Sequence, residues 1–464
     1  MTPPDLSAAS HRVPRELLER YATNVPRYTS YPTAPSWRDA PTQQELAELL
    51  SRPSSRPLSL YVHLPFCGKL CFYCGCNMMI TRDHALVERY LRALEMEAEQ
   101  VAALGRSAQP VTQLHWGGGT PTHLDCEQLT RVHQALAKRF SIAKDAERSI
   151  EVHPPVTTEP QLETLAELGF NRVSMGVQDF DPRVQKTINR PQPFEQTREL
   201  ILACRRLGYL SVNVDLMYGL PHQTVESFGA TLDRVAELRP DRLALFGYAH
   251  VPSLKPHQKL LAAAGLPSPS ERLDIFESAV ERLLDLGYRY IGLDHFARAD
   301  DELAMAQAQG TLRRNFMGYT TCAETDLLAF GASSISDLEG VYLQNLRDVH
   351  AYMAQVEHGL LPATRGTHLS EDDLIRRDVI HGLFCRLELD KDALAERHGV
   401  DVDIYFADEL RRLAPLEEDG LVVREPERIR VTPRGQVLLR NIAAIFDAYL
   451  RRPAEQPRPM SQAV

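Results

Sequence analysis

The sequence predicts an α/β fold: a partial (β/α)6-type TIM-like barrel, with an N-terminal arm before it and a mainly helical C-terminal domain after it. Three observations lead there. Short apolar, strand-like runs recur at 60–66, 113–116, 149–153, 172–178, 211–218, 242–248 and 290–296. Amphipathic helix-like stretches separate them, at 86–104, 159–168, 194–207, 226–238 and 270–286. From about residue 365 the pattern turns helical. Strands alternating with helices of this length make βαβ units and a parallel sheet. Six or seven such units favour a full or partial barrel over a short doubly wound sheet, with chemistry at the carboxyl ends of its strands.

The elements follow in chain order. Residues 1–40 form an arm rich in Pro, Tyr and Thr, including Arg27-Tyr-Thr-Ser-Tyr-Pro-Thr33. The barrel is expected over 41–364. The C-terminal domain, 365–450, has helical stretches at 372–384 and 402–413, strand-like Gly420-Leu-Val-Val and 429–432, and a helix at 435–449. That order suits a winged-helix-like cap and a helical packing domain equally. The tail, 451–464, carries Pro, Gln and Ser without a core and is expected to be disordered. No run of about 18 apolar residues exists to span a membrane. The start of the chain lacks a basic-then-apolar secretory pattern, so a cytoplasmic location is the default. A net charge of −10 argues against nucleic acid as the main partner, though local arginines can still make an anionic pocket.

Of eight cysteines, four lie close together: Cys67, Cys71, Cys74 and Cys76. A secreted disulfide framework would spread them, so clustering points to metal. Cys67-Gly-Lys-Leu-Cys71-Phe-Tyr-Cys74-Gly-Cys76 follows the first barrel strand. Thiolates are soft donors, and three of them on one curled loop can hold a 4Fe–4S cluster. Its fourth iron is then open to the amino and carboxylate groups of S-adenosylmethionine, which one electron cleaves to a 5′-deoxyadenosyl radical. A closed zinc site would need a fourth donor, Cys76 or His63, and zinc sites usually place two ligand pairs apart in sequence. A closed, electron-carrying cluster with Cys76 as fourth ligand would leave so large a barrel without purpose. A fourth thiolate would also block the cofactor, so Cys76 is read as a non-ligand.

Trp116-Gly-Gly-Gly-Thr-Pro121 directly follows a strand, and its glycines let backbone approach the polar end of an amino acid. Glu151, Gln178 and Asp215 stand at successive strand ends. Each alone suits a capping hydrogen bond; together they suit ribose hydroxyls and an ammonium group. Tyr61 and His63, on the strand that leads into the loop, are the candidate catalytic side chains. Arg190, Arg298, Arg313 and Arg314 are candidate clamps for a polyanionic substrate, against the plainer alternative of surface salt bridges.

These segments resemble the oxygen-independent coproporphyrinogen III oxidase family of radical S-adenosylmethionine enzymes. The three-cysteine spacing carries only the superfamily. More specific are Tyr61-Val-His-Leu-Pro-Phe, the extra Cys76, Arg27-Tyr-Thr-Ser-Tyr-Pro-Thr, Leu293-Asp-His-Phe-Ala-Arg and Arg314-Asn-Phe-Met-Gly-Tyr-Thr-Thr. The resemblance implies that Cys67, Cys71 and Cys74 ligate the cluster while Cys76 does not. It implies two molecules of S-adenosylmethionine. Tyr61, Gly118, Glu151 and Ile335 match positions around the first, which chelates the cluster. Tyr73, Gly119, Thr120, Gln178, Arg190, Asp215 and Ala249 match positions around the second. The implied reaction converts coproporphyrinogen III to protoporphyrinogen IX, with an electron donor such as flavodoxin or ferredoxin and a monomeric enzyme. A haem chaperone of the same superfamily, with His63, His153 or His295 as axial ligands, and another radical S-adenosylmethionine enzyme are the alternatives.

Overall fold

Six parallel strands follow one another through the computed structural model, which describes residues 11–451 apart from Ala323. They are β1 (Leu58–Leu64), β2 (Pro110–Gly118), β3 (Ser141–Val152), β4 (Arg172–Gln178), β5 (Ser211–Tyr218) and β6 (Arg242–Gly247). Each pairs in parallel with its neighbour in sequence. The helices between and after them are α1 (His84–Ala103), α2 (Cys126–Ala137), α3 (Glu159–Glu167), α4 (Phe194–Arg206), α5 (Val225–Leu238) and α6 (Pro269–Asp285). β1 is buried at every position except Tyr61, as a parallel strand covered on both faces must be. Reciprocal caps start four of these helices, Asp125 with Gln128, Thr158 with Gln161, Thr224 with Ser227 and Ser268 with Glu271, and fix where the chain turns back from the sheet.

The apolar run at 290–296 is not one strand. It folds as a hairpin, β7 (Tyr288–Gly292) and β8 (His295–Arg298), turned at Leu293 and Asp294 with Leu293 at φ 52°. β8 runs antiparallel to β6 and ends the parallel run on that side. Four further strands complete the sheet: β9 (Asp326–Phe330), β10 (Ile335–Leu338), β11 (Val341–Asn345) and β12 (Ala363–His368). β9 lies parallel beside β1 and makes a seventh parallel strand. The order is β12-β11-β10-β9-β1-β2-β3-β4-β5-β6-β8-β7, and among the described residues the two ends do not pair. The barrel is therefore partial.

β12 carries this sheet through His368, so the boundary expected at 364 falls inside a strand. Beyond it, α7 (Glu371–Arg386) packs with a small antiparallel sheet of Glu388–Asp390, Arg428–Val431 and Val422–Arg424. The helix expected at 435–449 is broken: Pro433–Val437 and Leu439–Ala444 meet at Leu438, which has φ −103° and ψ 24°. The stretch expected at 402–413 breaks likewise at Phe406. The first ten residues, and the expected disordered tail beyond Arg451, lie outside the described residues.

The arm is packed in place. Tyr28, Tyr31 and Trp37 are buried. Trp37 stacks on Tyr342 of β11, ring centroids 5.2 Å apart. The Tyr28 hydroxyl donates to Asp447 at 3.0 Å, and Asp39 exchanges backbone hydrogen bonds with Gly366 of β12. Among the described residues no helix is long and apolar enough to cross a membrane.

Candidate active site

The carboxyl ends of β1 to β6 face one cavity of about 500 Å³. Polar residues recur at alternate strand positions in otherwise apolar runs, and period-two geometry sends them all to the lumen. His115 of β2, Ser149 and Glu151 of β3, Ser174 of β4, and Asn213 and Asp215 of β5 line the lumen for this reason. The first, second, fourth and fifth of these were not singled out from sequence, although the alternation itself was there to find them.

The cysteine loop closes one side of that cavity. Cys67, Cys71 and Cys74 all line it. The loop is held from both flanks. Gly119 N–H donates to Leu64 O at 2.9 Å and Thr120 N–H to Phe66 O at 2.9 Å, which ties the glycine turn to the start of the loop. A Cβ at Gly119 would lie 2.6 Å from the Pro65 carbonyl oxygen, and Gly118, at φ +119°, would press one against the His63 ring. Only glycine fits both positions. From the other flank, Lys255 Nζ donates to Cys76 O at 2.7 Å, His257 Nε2 to Cys74 O at 2.9 Å and Gln258 Nε2 to Tyr73 O at 3.0 Å. This second latch carried no sequence signal, because it lies far away in the chain and uses only backbone acceptors. Arg190 reaches the Cys71 sulfur at 3.5 Å while donating to Gly176 O at 2.6 Å.

Beside the cysteine cavity lies a second pocket of about 320 Å³. Tyr61, His63, Gly118, Glu151 and Ile335 line it. His63 Nε2 sits 2.8 Å from the Asn77 carbonyl, an acceptor only, so Nε2 carries the proton. Nδ1 is then free to accept the Tyr61 hydroxyl at 3.0 Å. Burial pushes His63 below its ordinary value and Tyr61 well above its own, so this relay stays neutral. Burial would also raise Glu151, but His115 and the Gly118 N–H at 3.1 Å outweigh it and hold the carboxyl below its usual range. Asp215 goes the other way. Burial, with the Glu151 charge, pushes it up to about 7 despite hydrogen bonds from Asn213 and Ser174. The site thus holds one firm carboxylate and one that ionises readily beside a cation.

The two residue sets expected from the resemblance line adjoining cavities that share a wall. Tyr73, Gly119, Thr120, Gln178, Arg190 and Asp215 share the cavity of the three cysteines. Tyr61, Gly118, Glu151 and Ile335 share the side pocket, and Gly118 and Glu151 also line the cysteine cavity. Of the set expected around the cluster-chelating molecule, Tyr61 and Ile335 line the side pocket but not the cysteine cavity, while Gly118 and Glu151 face both. Ala249 lines neither cavity; its carbonyl accepts from Gln258, the residue that also holds Tyr73. Of the four candidate clamps, Arg190 faces the cysteine cavity, which Arg82 also lines. Arg298 pairs with Asp300 at the opposite, amino-terminal end of the parallel strands, because β8 runs antiparallel. Arg313 donates to Leu312 O, and Arg314 to Tyr28 O of the arm. The three histidines considered for haem stand on different walls: His63 in the side pocket, His153 in the cysteine cavity and His295 in the lumen.

Three thiols opening into one cavity, ringed by N–H groups, an arginine and carboxylates, fit a cluster with one open iron and an amino-acid ligand. Among the described residues no three Cys, His, Asp or Glu side chains are gathered closely enough for a single metal ion. A four-iron cube binds each thiolate at a different iron and takes them at wider spacing.

Fold and site together define a radical S-adenosylmethionine protein, and residues 61–235 match the Radical SAM superfamily. Residues 369–438 match the HemN C-terminal domain. The chain is 47% identical over 438 residues to the oxygen-independent coproporphyrinogen III oxidase of Escherichia coli K12, covering 94% of this chain and 96% of that one. It is 45% identical to the Synechocystis enzyme of the same name, covering 95% and 96%. The solved structure of the coproporphyrinogen III oxidase of Escherichia coli, described as a radical SAM enzyme, superposes with a TM-score of 0.90 at 46% identity, covering 94% of this chain and 99% of that one. The chain belongs to the oxygen-independent coproporphyrinogen III oxidase family.

Proposed function

We propose that the chain oxidatively decarboxylates two propionate side chains of coproporphyrinogen III to vinyl groups, giving protoporphyrinogen IX without oxygen. The observation that carries this reading is the cavity at the strand ends, where three thiols meet the ligand-holding walls in a chain nearly half identical to enzymes of that name. Cys67, Cys71 and Cys74 would hold the cluster. When bound, it would supply the electron that cleaves S-adenosylmethionine to an adenosyl radical able to take a hydrogen atom from the propionate β-carbon. Loss of carbon dioxide, with one electron passing to an acceptor from outside the chain, would leave the vinyl group.

The chain's own residues bind and orient. Gly119, Thr120, Gln178, Arg190 and Asp215, which surround the thiols, suit the molecule on the open iron. Tyr61 and Ile335 suit a second molecule in the side pocket, with Gly118 and Glu151 on the wall that the two cavities share. Tyr73 and Ala249 act through their backbone, which Gln258 holds in place. His63 fixes the Tyr61 hydroxyl toward that pocket and, being neutral, adds no charge beside Glu151. The arm and the C-terminal domain would serve as lids that keep water from the radical. The outer turns of the cysteine loop, Gly68–Lys69 and Gly75–Cys76, are exposed, which lets a one-electron carrier such as flavodoxin or ferredoxin approach. A cytoplasmic monomer suits this chemistry.

The test is anaerobic turnover with coproporphyrinogen III, a reductant and S-adenosylmethionine. Vinyl porphyrinogen in the product supports the reading. Tight haem binding without turnover would favour the chaperone instead.

A further inference from the structure

Three segments singled out in the sequence as more specific than the cysteine spacing meet away from the thiols. Arg27 of the arm motif, Asp294 of the β7–β8 turn and Arg314 line one small enclosed cavity. Arg272 of α6 and Arg440 of the C-terminal segment complete it, so among the described residues four guanidinium groups and a single carboxylate line it. Arg27 and Asp294 pair at 3.2 Å. Arg440 donates to the Pro26 and Val25 carbonyls of the arm, and Arg314 to the Tyr28 carbonyl. Aromatic rings support the rest: Arg272 lies over Tyr218 at 5.4 Å, and Arg314 over Phe384 at 5.5 Å.

This arrangement leaves buried donors unused. The Nε atoms of Arg272 and Arg314 are buried and have no acceptor. Guanidinium groups do not deprotonate to relieve such crowding, so the unused donors of Arg272 and Arg314 favour an anion beside them. Burial already pushes Arg440 down to about 10, and the neighbouring Arg27 adds to the push. The free space is about 40 Å³. One water needs roughly 10–15 Å³ on that measure, so a body of a few heavy atoms fits. Arginine forks match the planar or tetrahedral oxygens of carboxylates, sulfate and phosphate.

We propose that this cavity binds one small oxyanion, a carboxylate or an inorganic anion of similar size, which joins the arm, the barrel and the C-terminal segment. Three different parts of the chain supply the cations, so occupancy fastens the arm and the C-terminal segment to the barrel. Phe246 links the two cavities: Arg27 lies 5.8 Å over its ring, and the residue lines the cysteine cavity. A propionate of the porphyrinogen that is not reacting is one source of the anion, and that source rests on the function proposed above. A free inorganic anion is the other, and it does not.

Sulfate is the probe. Thermal unfolding of the full-length protein, kept anaerobic, is followed over a sulfate series at ionic strength balanced with chloride. Wild type is compared with Arg27→Gln, Arg272→Gln and the exposed control Arg183→Gln. The expected result is a saturable rise of about 2–4 °C in wild type and control, absent in the other two. Should Arg272→Gln not fold, Arg27→Gln suffices, because the Arg27 side chain is 37% exposed and its loss leaves the core intact. A second titration measures coproporphyrin binding with and without sulfate. Competition, with about tenfold weaker binding in Arg27→Gln, assigns the site to a substrate carboxylate; a rise in unfolding temperature without competition assigns it to a free anion. A wild type that shows no saturable rise and no competition overturns the proposal, as do variants that follow the wild-type curve. Lack of turnover with an intact sulfate response would sink the proposed function and leave this site standing.

Discussion

Replacing Glu97 by Gln should leave stability nearly unchanged at pH 5 and raise it at pH 8. Glu97 lies on α1, is 2% exposed and accepts three hydrogen bonds: Gly331 N–H at 2.8 Å, Asn345 Nδ2 at 2.6 Å and the Tyr352 hydroxyl at 2.5 Å. It therefore holds the turn between β9 and β10, which delivers Ile335 to the side pocket. Burial is the dominant influence and pushes the carboxyl from its ordinary 4.5 up to about 7, against those three donors. The folded state thus keeps a proton that the unfolded state has lost. Its contribution to stability is complete below pH 4.5 and lost as pH rises through 7. That interval corresponds to about 3 kcal/mol, of which about 2.5 kcal/mol disappears between pH 5 and pH 8. Gln cannot ionise, but its amide nitrogen would face the Asn345 amide, at a cost of about 1 kcal/mol. Wild type has already lost about 0.8 kcal/mol by pH 5, so the variant should match it there within about 0.2 kcal/mol and be more stable by about 2.5 kcal/mol at pH 8. Anaerobic urea titrations at both pH values measure the gap, and all other titrating groups cancel in the difference. A gap that stays constant across this range would refute the reasoning.

Cys71→Ala should lose the cluster, whereas Cys76→Ser should keep it; iron and sulfide content with the brown absorbance of anaerobic preparations decides both. Gly119→Ala places a Cβ 2.6 Å from the Pro65 carbonyl oxygen, a strain of about 1–3 kcal/mol that should weaken S-adenosylmethionine binding by tenfold or more. Equilibrium dialysis of anaerobic protein reads it, with iron content expected to be unchanged. Deletion of residues 1–35 should abolish turnover and lower the unfolding temperature, because Tyr28 and Tyr31 leave the core; full activity in the truncated chain would remove the arm from the reaction.

Local pattern revealed the parallel strands nearest the cysteine loop, and with them most of the site. The runs at 172–178 and 211–218 coincide with β4 and β5, because an apolar strand with inward polar residues announces itself over a few positions. The hairpin inside 290–296 did not announce itself. Its turn is Leu-Asp, and an apolar residue at positive φ is a poor turn signal. β9 to β12 passed unseen as strands, so Ile335 was known only by resemblance. Arg298 looked like a substrate clamp until the antiparallel direction of β8 put it at the far end of the sheet.

The cysteine spacing by itself determined that a cluster with one open iron sits on this chain, since the ligands share one short loop and their chemistry does not depend on what surrounds them. Which pocket lies with the thiols, and where the arginines go, was decided by the tertiary structure alone. Those placements depend on strand direction and on contacts between residues hundreds of positions apart, such as Arg27 with Asp294 and Lys255 with the Cys76 carbonyl. No local pattern encodes such a meeting; only the folded chain brings the groups together.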